Sequence, residues 1–176
     1  MKVNGRDYRT VWMENGVVKM IDQRPESGLP HSFKIVDCRT HRETAAAIKN
    51  MTVRGAGAIG AAAGYAMAQA FLESDEPAYV HAARKAIEAS RPTAQNLFYA
   101  TNRVYAAASI ASDSSSAAVE QATAIADEDV QASRMIGKLG AEFLRSLMER
   151  KNRQKLEVMT HCNAGWLAFV DYGTAT

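Results

Sequence analysis

The spacing of apolar residues changes as the chain proceeds. Val11-Trp12-Met13-Glu14 and Val17-Val18-Lys19-Met20-Ile21 flank Asn15-Gly16. Asn-Gly between apolar runs is the strongest short hairpin signal, so two antiparallel strands are expected here. Pro25, Gly28 and Pro30 mark a loop, and Phe33 to Asp37 reads as a third strand. From Thr40 onward the period is helical. Thr40-His41-Arg42-Glu43 is a capping box that opens a helix to about Asn50. Ala58 to Leu72 is an Ala-rich helix, whose composition implies close packing against neighbours. Pro77 starts a third helix, to about Ser90. After the break at Arg91-Pro92-Thr93, with Thr93 as the expected cap, Leu97, Phe98, Thr101, Val104, Tyr105 and Ala108 fall at helical spacing. Ser112 to Ser116 reads as a polar linker. A long helix then spans Ala117 to Arg150, with Val119, Ala122, Ile125, Ile136, Leu139, Phe143 and Leu147 expected inward. Gly137 and Gly140 inside it each cost about 1 kcal/mol against Ala, which predicts a tight crossing there.

The final stretch breaks the helical pattern. Leu156-Glu157-Val158-Met159 has the length of a buried strand, and Gly165 to Ala175 is apolar enough for a helix or a second buried element. The expected fold class is therefore α/β: a small N-terminal antiparallel β region plus a helical bundle over residues 1–152, then the first strand of a second unit over 153–176. A lone strand has no sheet to join, and a parallel sheet needs several βαβ units of about 30 residues each. A second domain is expected to lie outside this chain or to come from another one.

Bulk properties narrow the class. Of the 176 residues, 47% are hydrophobic and 23% charged, which fits an ordinary globular protein rather than a disordered one. The net charge of +2, with Lys and Arg interspersed among acids, gives no nucleic-acid footprint. No apolar run approaches the roughly 20 residues of a membrane span. Met1 to Tyr8 is polar and lacks the apolar core of a signal peptide, so a cytoplasmic location is expected. The two cysteines, Cys38 and Cys162, fit a reducing compartment, and neither has a partner at metal-ligand spacing.

Reactive side chains crowd together only at Met159-Thr160-His161-Cys162-Asn163-Ala164-Gly165. Cys162 reads either as a buried structural thiol or as a working one, activated by a neighbour or a following helix N-terminus. Neighbours on a strand point to opposite faces, so His161 need not touch Cys162. Gly55-Ala56-Gly57-Ala58-Ile59-Gly60 matches G-x-G-x-x-G, but a helix precedes it where a dinucleotide fold needs a strand, so the context argues against a dinucleotide. Glycines that open a helix still expose backbone N–H groups to an anion, and Arg54 adds a charge suited to phosphate. The other reading is a tight packing turn with Arg54 in a surface ion pair. Arg91 has the same two readings, an anion clamp or a solvated turn residue. His31, His41 and His81 are expected in solvent, Trp12 and Trp166 in the core, and Cys38 in a structural role.

Four segments occur in an order that matches one family: Val53 to Gly60, Arg91 to Leu97, Ile136 to Ala141, and Thr160 to Gly165 with Tyr172 to Ala175. The chain resembles the methylthioribose-1-phosphate isomerases, within the broader family of the alpha, beta and delta subunits of translation initiation factor 2B. The resemblance covers essentially the whole chain and the N-terminal half of the family. It implies a Rossmann-like C-terminal domain, of which 153–176 would be the start, with the active site between the two. It implies Cys162 as the catalytic thiol, and Arg54, Gly55, Ala56 and Arg91 around a substrate phosphate. A catalytic aspartate would come from the other half. It further implies an aldose–ketose isomerase acting on a sugar 1-phosphate, with no metal or nucleotide cofactor, as a homodimer, alternatives being ribose 1,5-bisphosphate or 5-deoxyribose 1-phosphate as substrate or a non-catalytic regulatory subunit. The family usually has Pro where this chain has Gly57.

Overall fold

A computed structural model describes residues 1–175. The chain begins with a two-stranded hairpin, β1 (Lys2–Val3) and β2 (Arg6–Asp7), around a second Asn-Gly pair whose flanking polar residues had hidden it. A three-stranded antiparallel sheet follows, β3 (Val11–Glu14), β4 (Val17–Ile21) and β5 (Ile35–Cys38), with β4 in the middle. Asn15 (φ 51°) and Gly16 (φ 78°) form the turn, and Val11 faces Met20 across it. Two positive φ values in succession match the right-handed twist of a tight hairpin. Val18 and Met20, two residues apart on β4, are buried in the core, so the sheet turns that face to the helices.

Five α-helices follow among the described residues: α1 (His41–Lys49), α2 (Ala56–Glu73), α3 (Pro77–Glu88), α4 (Gln95–Ser109) and α5 (Ser114–Arg150). The Thr40 hydroxyl accepts the Glu43 N–H at 3.2 Å, and the Glu43 carboxylate returns to the Arg39 N–H at 2.6 Å, one residue before the expected position. The helix α2 is the axis of the molecule. Every residue from Gly57 to Phe71 is buried, as expected of a helix apolar on all faces. Small side chains permit this: Gly64 lies against Ala100 of α4 and Ala122 of α5.

Several expectations need correction. Thr93 is not the cap of α4; Ala94 holds that position, with no side-chain hydrogen bond. The segment expected as a linker instead starts α5, because the Asp113 carboxylate accepts the Ser116 N–H at 3.0 Å. His41 is buried, not solvated: its backbone N–H donates to Glu73 at 2.8 Å and its Nδ1 lies 2.6 Å from the same carboxylate, which also accepts the Tyr79 hydroxyl. This cluster ties the start of α1 to the end of α2 and the start of α3. Trp12 and Trp166 are half-buried at the edge of the core.

The inward stripe of α5 holds only along its first half. Ala122, Ile125, Ala126, Val130 and Ser133 are buried, whereas Ile136, Leu139 and Phe143 are 47%, 55% and 60% exposed. The reason is length. At 37 residues, α5 is about 55 Å long, twice the reach of the 18-residue α2. Its second half outruns the helices that could cover it. Gly140 therefore permits no crossing, since nothing lies within 4 Å of where its Cβ would be.

Leu156–Met159 forms no strand. Val158 and Met159 are 69% and 97% exposed, and no sheet edge among the described residues offers them a ladder. The chain then returns to the body of the protein through a single 3₁₀ turn, Trp166–Ala168, rather than a helix.

Candidate functional site

The return segment builds the site. The Thr10 N–H donates to the Val170 carbonyl at 2.9 Å, and the Thr10 hydroxyl to the Trp166 carbonyl at 3.2 Å. The Gln23 side-chain amide donates to the Leu167 carbonyl at 2.8 Å, and the Asp129 carboxylate accepts the Val170 N–H at 2.7 Å. These bonds carry 166–170 from the sheet edge to α5, across the N-terminus of α2.

At the crossing, Gly55 has φ 97° and ψ 146°, a conformation open essentially to glycine alone. A Cβ there would overlap the Ala168 Cα and come within 2.6 Å of its carbonyl oxygen. Glycine is thus required twice over, by its dihedrals and by the Ala168 backbone pressed against it. Gly57 is closed in likewise, by the Asp129 carboxylate and, 2.6 Å from a Cβ position, the Phe169 ring.

An open cavity of about 740 Å³ lies beside this crossing. Arg54, Thr160, Cys162, Asn163 and the 164–168 segment line it from one side; Gln23, Arg24, Pro25 and Leu29 line it from the loop after β4. Cys162 is exposed, which disposes of the buried-thiol reading. Its φ of 68° is unusual for a residue with a Cβ, and such conformations gather at functional sites. His161 is exposed and does not line the cavity, so adjacency in sequence is all that links it to the thiol.

Arg54 is exposed and makes no ion pair with any described residue. The turn is therefore tightly packed, as one reading had it, yet its cation is free to meet an anion, as the other required. Its neighbour in the cavity, Arg24, is not free: two of its nitrogens donate to Asp22 at 2.9 and 2.7 Å. That guanidinium holds the buried Asp22 carboxyl below its ordinary range.

Arg91 is not brought together with Arg54 and Cys162. It is half-buried at the turn before α4, its Nη1 atom is buried without a hydrogen-bond partner, and it does not line the cavity. Cys38 is buried, and burial pushes its thiol up to about 11, which leaves it protonated at neutral pH. Burial also pushes the Asp129 carboxyl up, against the opposing hydrogen bond from Val170. Gln23 and Asp129 lay outside the sequence reading. Neither sits in a reactive cluster, and only the course of the return segment makes them matter. No group of three or more His, Cys, Asp or Glu able to hold a metal exists among the described residues. No helix of the described residues is long and apolar enough to cross a membrane.

Known proteins resemble this chain along its whole length. It is 46% identical to the methylthioribose-1-phosphate isomerase of Cereibacter sphaeroides strain KD131 over 178 residues, covering all of this chain and 48% of the relative. The enzyme of the same name from Sinorhizobium medicae is 41% identical, over all of this chain and 49% of the relative. Among solved structures, 5-methylthioribose 1-phosphate isomerase from Pyrococcus horikoshii OT3 superposes with a TM-score of 0.78 at 39% identity, over 96% of this chain and 47% of that one. Subunit delta of translation initiation factor eIF-2B from A. fulgidus gives 0.74 at 34% identity, over 95% and 48%. The chain thus spans about half the length of the curated relatives it matches. The model of the initiation factor 2 subunit family matches residues 52–171, from the turn before Arg54 through α5 to the return segment, and the chain belongs to that family.

Proposed function

We propose that the protein carrying this chain is an aldose–ketose isomerase of sugar 1-phosphates, converting methylthioribose 1-phosphate to methylthioribulose 1-phosphate. The observation that carries the reading is the meeting of the exposed Cys162 thiol and the unpaired Arg54 in one cavity, beside the N-terminus of α2. Arg54 and the backbone of Gly55 and Ala56 hold the phosphate; the N-terminus of an 18-residue helix favours an anion at that place. Arg91, which does not line the cavity, is assigned to the same phosphate by family resemblance. The relatives are about twice as long; the remainder of the site, including the carboxylate that works with the thiol, is assigned by family resemblance to the half that this chain does not cover. Residues 153–176 open that second, Rossmann-like unit, and the protein acts as a homodimer. This chain by itself holds the phosphate side and does not turn over.

The reaction has three parts. A proton is delivered to the ring oxygen as its bond to C1 breaks. Hydrogen moves from C2 to C1, through an enediol or as hydride. A proton leaves the C2 hydroxyl as the ketone forms. Atoms and oxidation state balance within the one molecule, so no external oxidant or reductant enters. Cys162 and the partner carboxylate serve the proton transfers. The phosphate anchor fixes the sugar against them, so positioning contributes much of the rate.

The test is turnover of methylthioribose 1-phosphate by the intact protein, against Cys162→Ser. Loss of a positioned proton-transfer group lowers kcat by roughly 10²–10⁴-fold. Undiminished turnover in Cys162→Ser removes the thiol from the mechanism. An inactive wild type, together with capture of initiation factor 2, establishes instead the regulatory-subunit reading that the delta-subunit likeness favours. Ribose 1,5-bisphosphate and 5-deoxyribose 1-phosphate complete the substrate panel.

A further inference from the structure

We infer that Asp129, which does not line the cavity, is a positioning residue for the phosphate corner. It lies on α5 in a separate cleft of about 200 Å³, shared with Gly57 and Gly60 of α2 and Asn96 and Tyr99 of α4. One carboxylate oxygen accepts the Val170 N–H at 2.7 Å; the other fills the place that a Cβ at Gly57 would take. Asp129 is thereby the α5 side chain that holds both the first turn of α2 and the return segment. Two residues before Val170, the Ala168 backbone rests on Gly55, the residue next to Arg54. The line of contact runs from Asp129 through Val170 and Ala168 to Gly55, the residue bonded to Arg54. A negative group at the N-terminal turn of α2 also faces the favourable end of the helix dipole. Gln23 secures Leu167 from the opposite side, so the segment is held between two side chains that reach it from the sheet and from α5.

The inference rests on Arg54, Gly55 and Ala56 being the phosphate corner, and the experiment separates the two. Amide hydrogen exchange of the ¹⁵N-labelled chain, without phosphate, reads the latch. Titration with inorganic phosphate, followed at the Gly55 and Ala56 amides, reads the corner. In Asp129→Ala, the Val170 and Ala168 amides exchange about tenfold faster or more, and phosphate binds about tenfold more weakly, the scale of a lost charge-assisted hydrogen bond. Asp129→Asn keeps an acceptor oxygen of the same reach without the charge, and restores part of both readouts. The inference is overturned if Asp129→Ala binds phosphate as wild type does, or if Asp129→Asn behaves as Asp129→Ala in both readouts. A wild type whose Gly55 and Ala56 amides ignore phosphate overturns the phosphate corner, and with it the inference, even where the latch appears in exchange.

Discussion

Gly55→Ala is the sharpest perturbation this fold offers, because two independent costs fall on one methyl group. The first is conformational. An L-residue at φ 97° and ψ 146° sits where only glycine is at ease, a strain of about 1–3 kcal/mol. The second is steric. The new Cβ would stand 2.5 Å from the Ala168 Cβ and 2.6 Å from its carbonyl oxygen, and the obstacle is backbone, which cannot rotate away. Overpacking of this kind costs about 1–3 kcal/mol. Relief by moving the return segment would break its bonds to Thr10 and Asp129, so the two costs add rather than cancel. The expected loss is about 2–6 kcal/mol. That is a large share of a typical stability of about 5–15 kcal/mol, and at about 2–4 °C per kcal/mol for a chain of this size it lowers Tm by roughly 4–24 °C. Urea denaturation followed by circular dichroism gives the midpoint and slope together; a lower midpoint at unchanged slope is the expected signature. A variant within about 0.5 kcal/mol of wild type would refute the claim that Ala168 is seated on Gly55.

Further outcomes follow from other parts of the fold. A thiol reagent at pH 8 should modify Cys162 quickly in the native protein and Cys38 only in denaturant, since Cys38 is buried and its thiol lies near 11; two fast thiols in the native state would contradict that burial. Asp22 is held below its ordinary range by Arg24, so its contribution to stability is present above about pH 4 and is lost as pH falls below its unfolded value of 3.8; Asp22→Asn should flatten the fall in urea midpoint between pH 5 and pH 2.5, and an unchanged profile would count against the ion pair. Two positions of one sequence stripe should part company: Ile125→Ala should cost about 2–4 kcal/mol, whereas Phe143→Ser should fall within about 0.5 kcal/mol in this chain, as measured by equilibrium unfolding, and equal costs would show the second half of α5 to be covered.

The β-hairpin and the helix starts were legible because their signals are local. Asn15-Gly16 demands a hairpin, Thr40 and Glu43 demand a helix start, and an unbroken Ala-rich run demands a buried helix. Periodicity reports which face of α5 is apolar, but it carries no information about how far the neighbours extend. Ile125 and Phe143 have the same signature and opposite fates because α2 and α4 stop short of the second. Leu156–Met159 fails for a related reason. An apolar run has strand propensity, but a strand exists only with a ladder, and a ladder is a property of the fold rather than of the run. His41 misled because its partner, Glu73, is 32 residues away at the other end of α2.

The candidate site shows the same division, and shows why a motif can be right in place and wrong in kind. Gly55 and Gly57 look like a nucleotide fingerprint, in which glycines let a pyrophosphate approach the backbone. Here the space that each glycine leaves is filled by the protein itself, by Ala168 at the first and by Asp129 and Phe169 at the second. The phosphate-binding potential of the turn thus lies not in the glycines as gaps but in what their packing fixes: Arg54, unpaired among the described residues, at the mouth of α2, lining a cavity that Cys162 lines too. Residue types alone placed Arg54 and Cys162 on the short list. Only the course of residues 166–170, threaded between Thr10, Gln23 and Asp129, puts them in the same cavity. Arg91 lies on a turn that no such thread reaches, which is why the resemblance that named three site elements finds two of them together.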